Sequence, residues 1–539
     1  MKMHCRIVTL ILAVTMIGSL LLTACTSSSP TALPSEGPAA SSKPYGSLAV
    51  GTDFRTDNAD PIRTSGSTIA AIFSEVYDML VYRSADGQIK PGIAERWEIA
   101  PDGMTQTFYI RKGVKFHDGS DLTGADVKFS VDRLIAPDSS HNDAGSWRAA
   151  LASVDLKDDY TVVFRMKSPQ FDFITGFADL GGTSAVLPKK YIEEKGVDYF
   201  RKNPVGSGPF KVVKYEPAVR LEIEAVDSHW RKVPQFKNIT LLNIREVATT
   251  VAMLKTGELD LAEVMPDDAA SLKAAGLRIQ PHDGAVQGFM IAAWDKANPT
   301  KYALGNVKVR KAISLAVNRR EMADDLFKGY ADPGILAYGR PTAGYWDSNQ
   351  LKPDPYDPEG AKKLLAEAGY PNGFNLTLWD SKLGGNSTQL ATAVGGYLRK
   401  VGLEANVVAV EWTVLTAKYN PKQLPDIWDT MVVAFLSGAF WDFEKMGRAY
   451  DSKRTPGTYS SVNNPKLDEL IEKAEITLDP AQKKEIQLQA AILAKNEYNV
   501  IDLVEVKTVF ALSSRIGSFA PIAGMAALGP ALESITHAK

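Results

Sequence analysis

The residues best equipped for chemistry are few and scattered. Six histidines stand at positions 4, 117, 141, 229, 282 and 537, with no His-x-x-x-His or similar spacing among them. A metal needs several ligands converging from defined offsets, so no metal site is expected. His117 beside Asp118 could pass a proton, yet the pair lies between Gly113 and Gly119, where a histidine hydrogen-bonded within a turn is the expected arrangement. No Gly-x-Ser-x-Gly elbow, phosphate-binding loop or dinucleotide fingerprint stands in the strand and helix context it requires. No catalytic residue and no cofactor is therefore expected, although a triad assembled from distant residues leaves no linear signature. Sulfur chemistry is confined to the start of the chain, in Cys5 and Cys25.

Those cysteines flank a distinctive segment. Lys2 and Arg6 precede an uncharged apolar run from Ile7 to Leu22, which stops at Thr23-Ala24-Cys25. The run falls short of the about 20 residues that span a bilayer, and charge before it with small residues after it marks an export signal, residues 1–24. Leu22-Thr23-Ala24-Cys25 resembles the bacterial lipobox. That resemblance implies cleavage before Cys25, acylation of the cysteine, and a mature chain anchored outside the cytoplasm. The membrane would be met only through the lipid, at roughly 0.8 kcal/mol per buried methylene. Residues 25–44 are rich in Ser, Pro, Ala and Gly and cannot bury enough surface to offset their conformational entropy, so they read as a flexible tether. No disulfide is available to the mature chain, and its stability must come from core size.

The 61 Lys and Arg against 63 Asp and Glu leave a formal charge of −2, with no long run of one sign. Nucleic acid and charged membrane surfaces are not favoured as partners. About 495 residues follow the tether, too many for a single core, so at least two lobes are expected. Strand and helix patterns alternate with clear punctuation. Phe108 and Ile110, then Val114 and Phe116, alternate as half-buried strands do. Thr123 with Asp126 forms a capping box ahead of Val127, Val131 and Leu134. Asp357-Pro358, Asn464-Pro465 and Asp479-Pro480 each open a helix, Asn318 with Glu321 opens another, and Val309 to Val317 has a helical apolar stripe. A layered α/β architecture is the natural class.

These segments resemble one family over nearly the whole mature chain. Ile93 to Glu98, Pro101-Asp102-Gly103, Phe108 to Arg111, Gly113 to Gly119 and Ala125 to Ser130 are similar to the signature of the extracellular solute-binding proteins of family 5. Asn203 to Phe210, Lys255 to Asp260, Val307 to Asn318, Asp357 to Phe374 and Asn464 to Val500 continue it in order. The resemblance implies a two-lobed clamshell of the type II, cluster C periplasmic-binding-protein kind, with an extra subdomain inserted in lobe one, that closes on a solute for an ABC permease. Lobe one would comprise 45–66, 187–284 and 505–539, the insert 67–186, and lobe two 285–504. Crossings between lobes would fall near Pro281 to Gln287 and Ile501 to Val509. The resemblance leads to peptide-like solutes, followed by opines, sugar conjugates and metal chelates. A sensory receptor or a secreted enzyme on the same fold are the rivals, and a monomer is expected.

Three places are suited to line the cleft. The run Leu436 to Phe443 carries Phe440, Trp441 and Asp442. In peptide-binding relatives this loop holds an earlier aspartate for the peptide ammonium, at a place occupied here by Ser437. Trp441 and Phe440 offer flat faces to an aromatic, sugar or cationic solute, with one of the two expected to be core. In Trp147-Arg148, the arginine either clamps a carboxylate or phosphate or faces solvent. Trp412, after Glu411, contacts ligand or packs under the helix that follows. Asn58, Asp60 and Arg63 are weaker candidates at the N-terminal edge of the cleft.

Overall fold

The computed structural model describes residues 43–54, 59–62, 73–83, 89–139, 141, 144–171, 173–174, 178, 184–293, 298–336, 351–382, 387–411, 414, 429–437, 450–452, 464–521 and 529–539. The strands of its first part are β1 (Tyr45–Thr52), β2 (Val81–Arg83), β3 (Ile89–Pro91), β4 (Ala94–Ile99), β5 (Thr105–Ile110), β6 (Leu151–Asp158) and β7 (Thr161–Met166). They are followed by β8 (Phe210–Glu216), β9 (Arg220–Ala225), β10 (Phe236–Asn243), β11 (Leu261–Val264) and the long β12 (Arg278–Ala293). The remainder are β13 (Ala331–Pro333), β14 (Phe374–Asp380), β15 (Leu403–Ala409), β16 (Thr430–Ser437) and the long β17 (Val500–Leu512).

Eleven strands form one sheet in the order β15-β14-β16-β12-β17-β11-β1-β10-β9-β8, with β13 pairing β17 off that path. Its two ends carry separate apolar cores, here called lobe one (β1 and β8 to β11) and lobe two (β14 to β16), joined by the antiparallel pair β12 and β17. Arg278 to His282 of β12 lie opposite Leu512 to Thr508, and this end of β17 also pairs β11 of lobe one. Val286 to Ala293 instead pair β16 of lobe two, while Val504 to Val506 of β17 pair β13. The register slips between His282 and Val286, at the changeover. A bulge leaves residues unpaired and adds local twist, which lets one long strand take different neighbours at its two ends.

Burial follows from this topology. In lobe two the sheet is covered on both faces, which suits its near-continuous apolar strands. Val309, Ile313, Leu365 and Leu390 pack one face with Leu378 and Met431, and Leu467, Ile471 and Ala490 pack the other with Val432. In lobe one, Leu254 and Leu272 cover one face with Val509 and Ala511. The other face shares a single apolar cluster with the separate sheet β4-β5-β7-β6, where Phe108 and Phe164 join Val50, Leu241 and Phe510. Residues 94–166 thus contribute a sheet of their own, whose core is continuous with that of β1 and β10.

The helix starts obey local chemistry. Thr123 and Asp126 make the reciprocal capping box of the helix Gly124–Leu134. Asp357, Asn464 and Asp479 each accept from amides of the first turn, with proline in that turn where its missing N–H costs nothing. Val114 and Phe116 are buried as their alternation predicts, but no ladder forms there. Lys115 bridges only Asp121, and the Phe116 amide donates to Ser120 around Gly119, whose φ is +88°. The chain reverses too tightly for a second strand pair to propagate. No helix among the described residues is long and apolar enough to cross a membrane.

Candidate functional site

Register fixes where the strand ends meet. β11 runs along β17 from Leu512 toward Val509, so its carboxyl end points at the middle of β17. β16 runs along β12 from Ala293 to Val286, and Val286 lies opposite Val506 of β17. The carboxyl ends of β11 from lobe one and β16 from lobe two therefore reach nearly the same level on the two sides of the β12–β17 pair, at Val509 and at Val286 opposite Val506. β1 is parallel to β11 and β14 to β16, so their ends add to the same edge. A crevice outside strand carboxyl ends, where neighbouring strands diverge, is the general ligand position in open α/β sheets.

On the lobe-one side, Glu263 lies opposite Phe510 on β17. Residues directly opposite in an antiparallel pair share a face, and that face continues to Thr508 one pleat nearer the crossing. Phe510 is wholly buried, whereas the Glu263 side chain is exposed. The surrounding protein still strips it of much of its hydration, and this dehydration alone pushes its carboxyl up to about 7. Solvent reaches the group from one side, and the protein packed around the strand supplies the dehydration. It has no hydrogen bond or ion pair among the described residues. Thr508 is buried and its hydroxyl likewise has no described partner. Beside them Lys507 ties the crossing together, its amine 3.1 Å from Asp283 and 3.3 Å from Asp332.

On the lobe-two side, buried Asp380 ends β14 and accepts from the Thr388 hydroxyl at 2.6 Å and the Lys382 amide at 3.0 Å. Its carbonyl accepts from Val410 at 2.9 Å, which fixes the end of β15. Glu411 then lies 3.5 Å from the Lys382 amine. Trp412 follows directly, outside the described residues, as do Arg63, Asn58 and the run holding Phe440, Trp441 and Asp442. The described strand ends at Ser437, opposite Val286, so that run begins beside the crossing.

The other described candidates are held by partners of their own. Trp147 is buried and packs on Phe173 with ring centroids 4.9 Å apart. Arg148 donates to the Ala136 carbonyl at 2.8 Å. Asp60 is fully buried and paired with Arg133 at 2.6 Å. His117 accepts from the Gly206 amide at 3.3 Å, and its other nitrogen is 2.9 Å from the Gly208 carbonyl. Burial holds its basicity below the ordinary range, so a neutral ring straps two turns together.

The profile described as bacterial extracellular solute-binding proteins, family 5 Middle, matches residues 88–457. The chain belongs to that family. A relative of this family 5 protein, the glutathione-binding protein GsiB of Salmonella paratyphi A (strain ATCC 9150 / SARB42), is 28% identical over 481 residues, covering 88% of this chain and 91% of the relative. The periplasmic binding protein DppA from Helicobacter pylori, solved with peptide STSA, superposes with a TM-score of 0.73 at 21% identity, covering 92% of this chain and 99% of its own. NikA from Brucella suis, solved with Fe(III)-EDTA, gives 0.78 at 21% identity, covering 91% and 100%. These likenesses show the two-lobed type II periplasmic-binding fold.

Lobe one of the family 5 protein also contains a buried polar network that residue types alone do not reveal. Asp78, wholly inaccessible, accepts from Tyr82 at 2.7 Å, Trp230 at 2.9 Å and Ser207 at 3.1 Å, with His229 at 3.2 Å. Burial pushes its carboxyl up, but His229 and the other donors outweigh this and hold it below the usual range. Arg231 lies 3.8 Å from Asp78 and pairs with Glu533. Glu75 accepts from the Leu532 amide at 2.8 Å, and burial with the Glu533 charge pushes it well above the carboxylate range. This network fastens the C-terminal segment to lobe one. Glu263 and Thr508 likewise belong to no motif; their only sequence signals are one acid and one hydroxyl within apolar strands.

Proposed function

We propose that this family 5 protein is the solute receptor of an ABC importer, capturing a peptide-like solute between its lobes and held outside the cytoplasm by acyl groups on Cys25. The observation that carries the reading is the convergence of strand carboxyl ends from both lobes on one crossing, with an unpaired carboxyl in the crevice. The printed names of relatives, glutathione-binding for GsiB and peptide-bound for DppA, favour short peptides. Closure hinges at Pro281 to Gln287 and Ile501 to Val509, with lobe one and its insert divided from lobe two as the sequence suggests, complete the proposal. Trp441 is the main anchor and Asp442 the lesser one, because Ser437 stands where peptide receptors carry the earlier acid.

Titration of the purified protein with glutathione and a library of di- and tripeptides tests this. One solute per chain, with stabilisation of about 2.7 kcal/mol at a hundredfold excess over Kd, is the expected result. Chemical turnover of a bound solute, or no stabilisation by any of them, overturns it. For the anchor, Cys25→Ala should abolish palmitate labelling and release the protein from membranes. Labelling that persists in the variant removes the lipid from the proposal.

A further inference from the structure

Lobe one supplies a recognition group that the loop after β16 lacks. Glu263 and Thr508 project from the same face of the sheet, at neighbouring positions on β11 and β17, where the strand ends of the two lobes converge. Each polar group is without a partner among the described residues, whereas the buried acids Asp60, Asp78 and Asp260 are paired or hydrogen-bonded. A carboxyl that has lost part of its hydration without gaining a partner is unfavourable in its charged form, and the buried Thr508 hydroxyl beside it is unsatisfied among the described residues too. A ligand that brings the missing partner reverses that balance.

We propose that Glu263 is the carboxylate that selects a cationic group on the solute, a primary ammonium or guanidinium, with the Thr508 hydroxyl accepting a second hydrogen bond from the same group. The inference rests on the receptor reading above and adds the charge of the solute to it. An ammonium has three donors, so one carboxylate and one hydroxyl leave a third for solute or water. The titratable groups that neighbouring strands bring to this edge are Asp53 beyond β1, His282 opposite Thr508 on β12, and the Lys507–Asp283 pair. None of them contributes to the raised proton affinity of Glu263, which dehydration alone produces. Binding of a cation should therefore expel a proton from Glu263 near neutral pH.

The test uses glutathione and a library of di- and tripeptides in matched forms: free or acetylated at the amino terminus, and with lysine or norleucine side chains. Calorimetry is run on the full protein and on Glu263→Gln and Thr508→Val, both near-isosteric. Solutes that bind are expected to carry a cation, and Glu263→Gln should weaken them about thirtyfold, with a smaller loss for Thr508→Val. Affinity should also rise from about pH 5.5 to about pH 8 in the wild type and stay level in the glutamine variant. Should the solutes bind both proteins alike, or bind equally well with the cation masked, the cation site is wrong while the receptor stands. If nothing in the library binds the wild type, the receptor reading and this inference fall together.

Discussion

Asp78 and Glu263 are both carboxyls of lobe one, and the structure treats them in opposite ways. Asp78 has no accessible surface and is surrounded by the donors of Tyr82, Ser207, His229 and Trp230. Glu263 is open to solvent and has no partner among the described residues, and its carboxyl rises to about 7. The first acid is fully satisfied by its own chain, so it holds structure together. The second is left waiting, as a group meant for a visitor must be. The contrast separates acids that fasten a fold from acids that face a ligand, without appeal to any motif.

The comparison breaks most visibly at Asp78. Asp78→Ala strands four donors in the core and should cost about 3–5 kcal/mol, read as a lower urea midpoint. Because the folded carboxyl is held below its ordinary value, its contribution is present above the unfolded value and is lost as pH falls through the folded one. A loss under about 1 kcal/mol would mean the network is ornamental. Next is Gly206→Ala, where an added Cβ would lie 2.0 Å from the Val76 carbonyl oxygen. The turn that carries Ser207 to Asp78 would have to shift, for about 2–3 kcal/mol in the same assay.

Glu75→Gln should be milder, within about 1 kcal/mol at mildly acidic pH, since burial and the Glu533 charge raise this carboxyl well above its usual value and an amide oxygen can accept from Leu532. A raised folded value means the native state binds the proton more tightly, so wild-type stability falls as pH rises above the unfolded value. The glutamine variant should therefore gain on the wild type at alkaline pH in thermal melts, and a parallel pair of curves would refute the buried proton. The smallest effect belongs to ligand-free Glu263→Gln. Its folded value of about 7 predicts no difference below the unfolded value and a gain for the variant as pH rises through 7. Access to solvent limits that gain to under about 1 kcal/mol. A large loss instead would make Glu263 a structural acid and erase the comparison.

Much of the molecule was legible because its causes are local. The caps at Thr123, Asp357, Asn464 and Asp479 satisfy amides two or three residues away, so their signature lies within one turn of chain. The family signature and the two-lobed fold were readable for a similar reason, being ordered blocks of short-range pattern. The turn around Gly119 shows the limit: alternation at Val114 and Phe116 gave the correct burial but not the absence of a ladder, which depends on what lies alongside. Of the proposed cleft residues, Trp147 turned out to pack on Phe173, and Trp441, Phe440, Asp442, Trp412 and Arg63 lie outside the described residues.

By itself the sequence determined the caps, the turns and the apolar faces, since each follows from side-chain type and spacing over a few residues. Only the tertiary structure decided which strands became neighbours. Glu75 meets the amide of Glu533 across 458 positions, and Asp78 meets Trp230 across 152. Glu263 faces the crevice because β11 happens to pair the end of β17 that crosses between lobes. Periodicity fixes which face of a strand is buried, but it carries no information on the partner, and solvation of a charge is set by the partner.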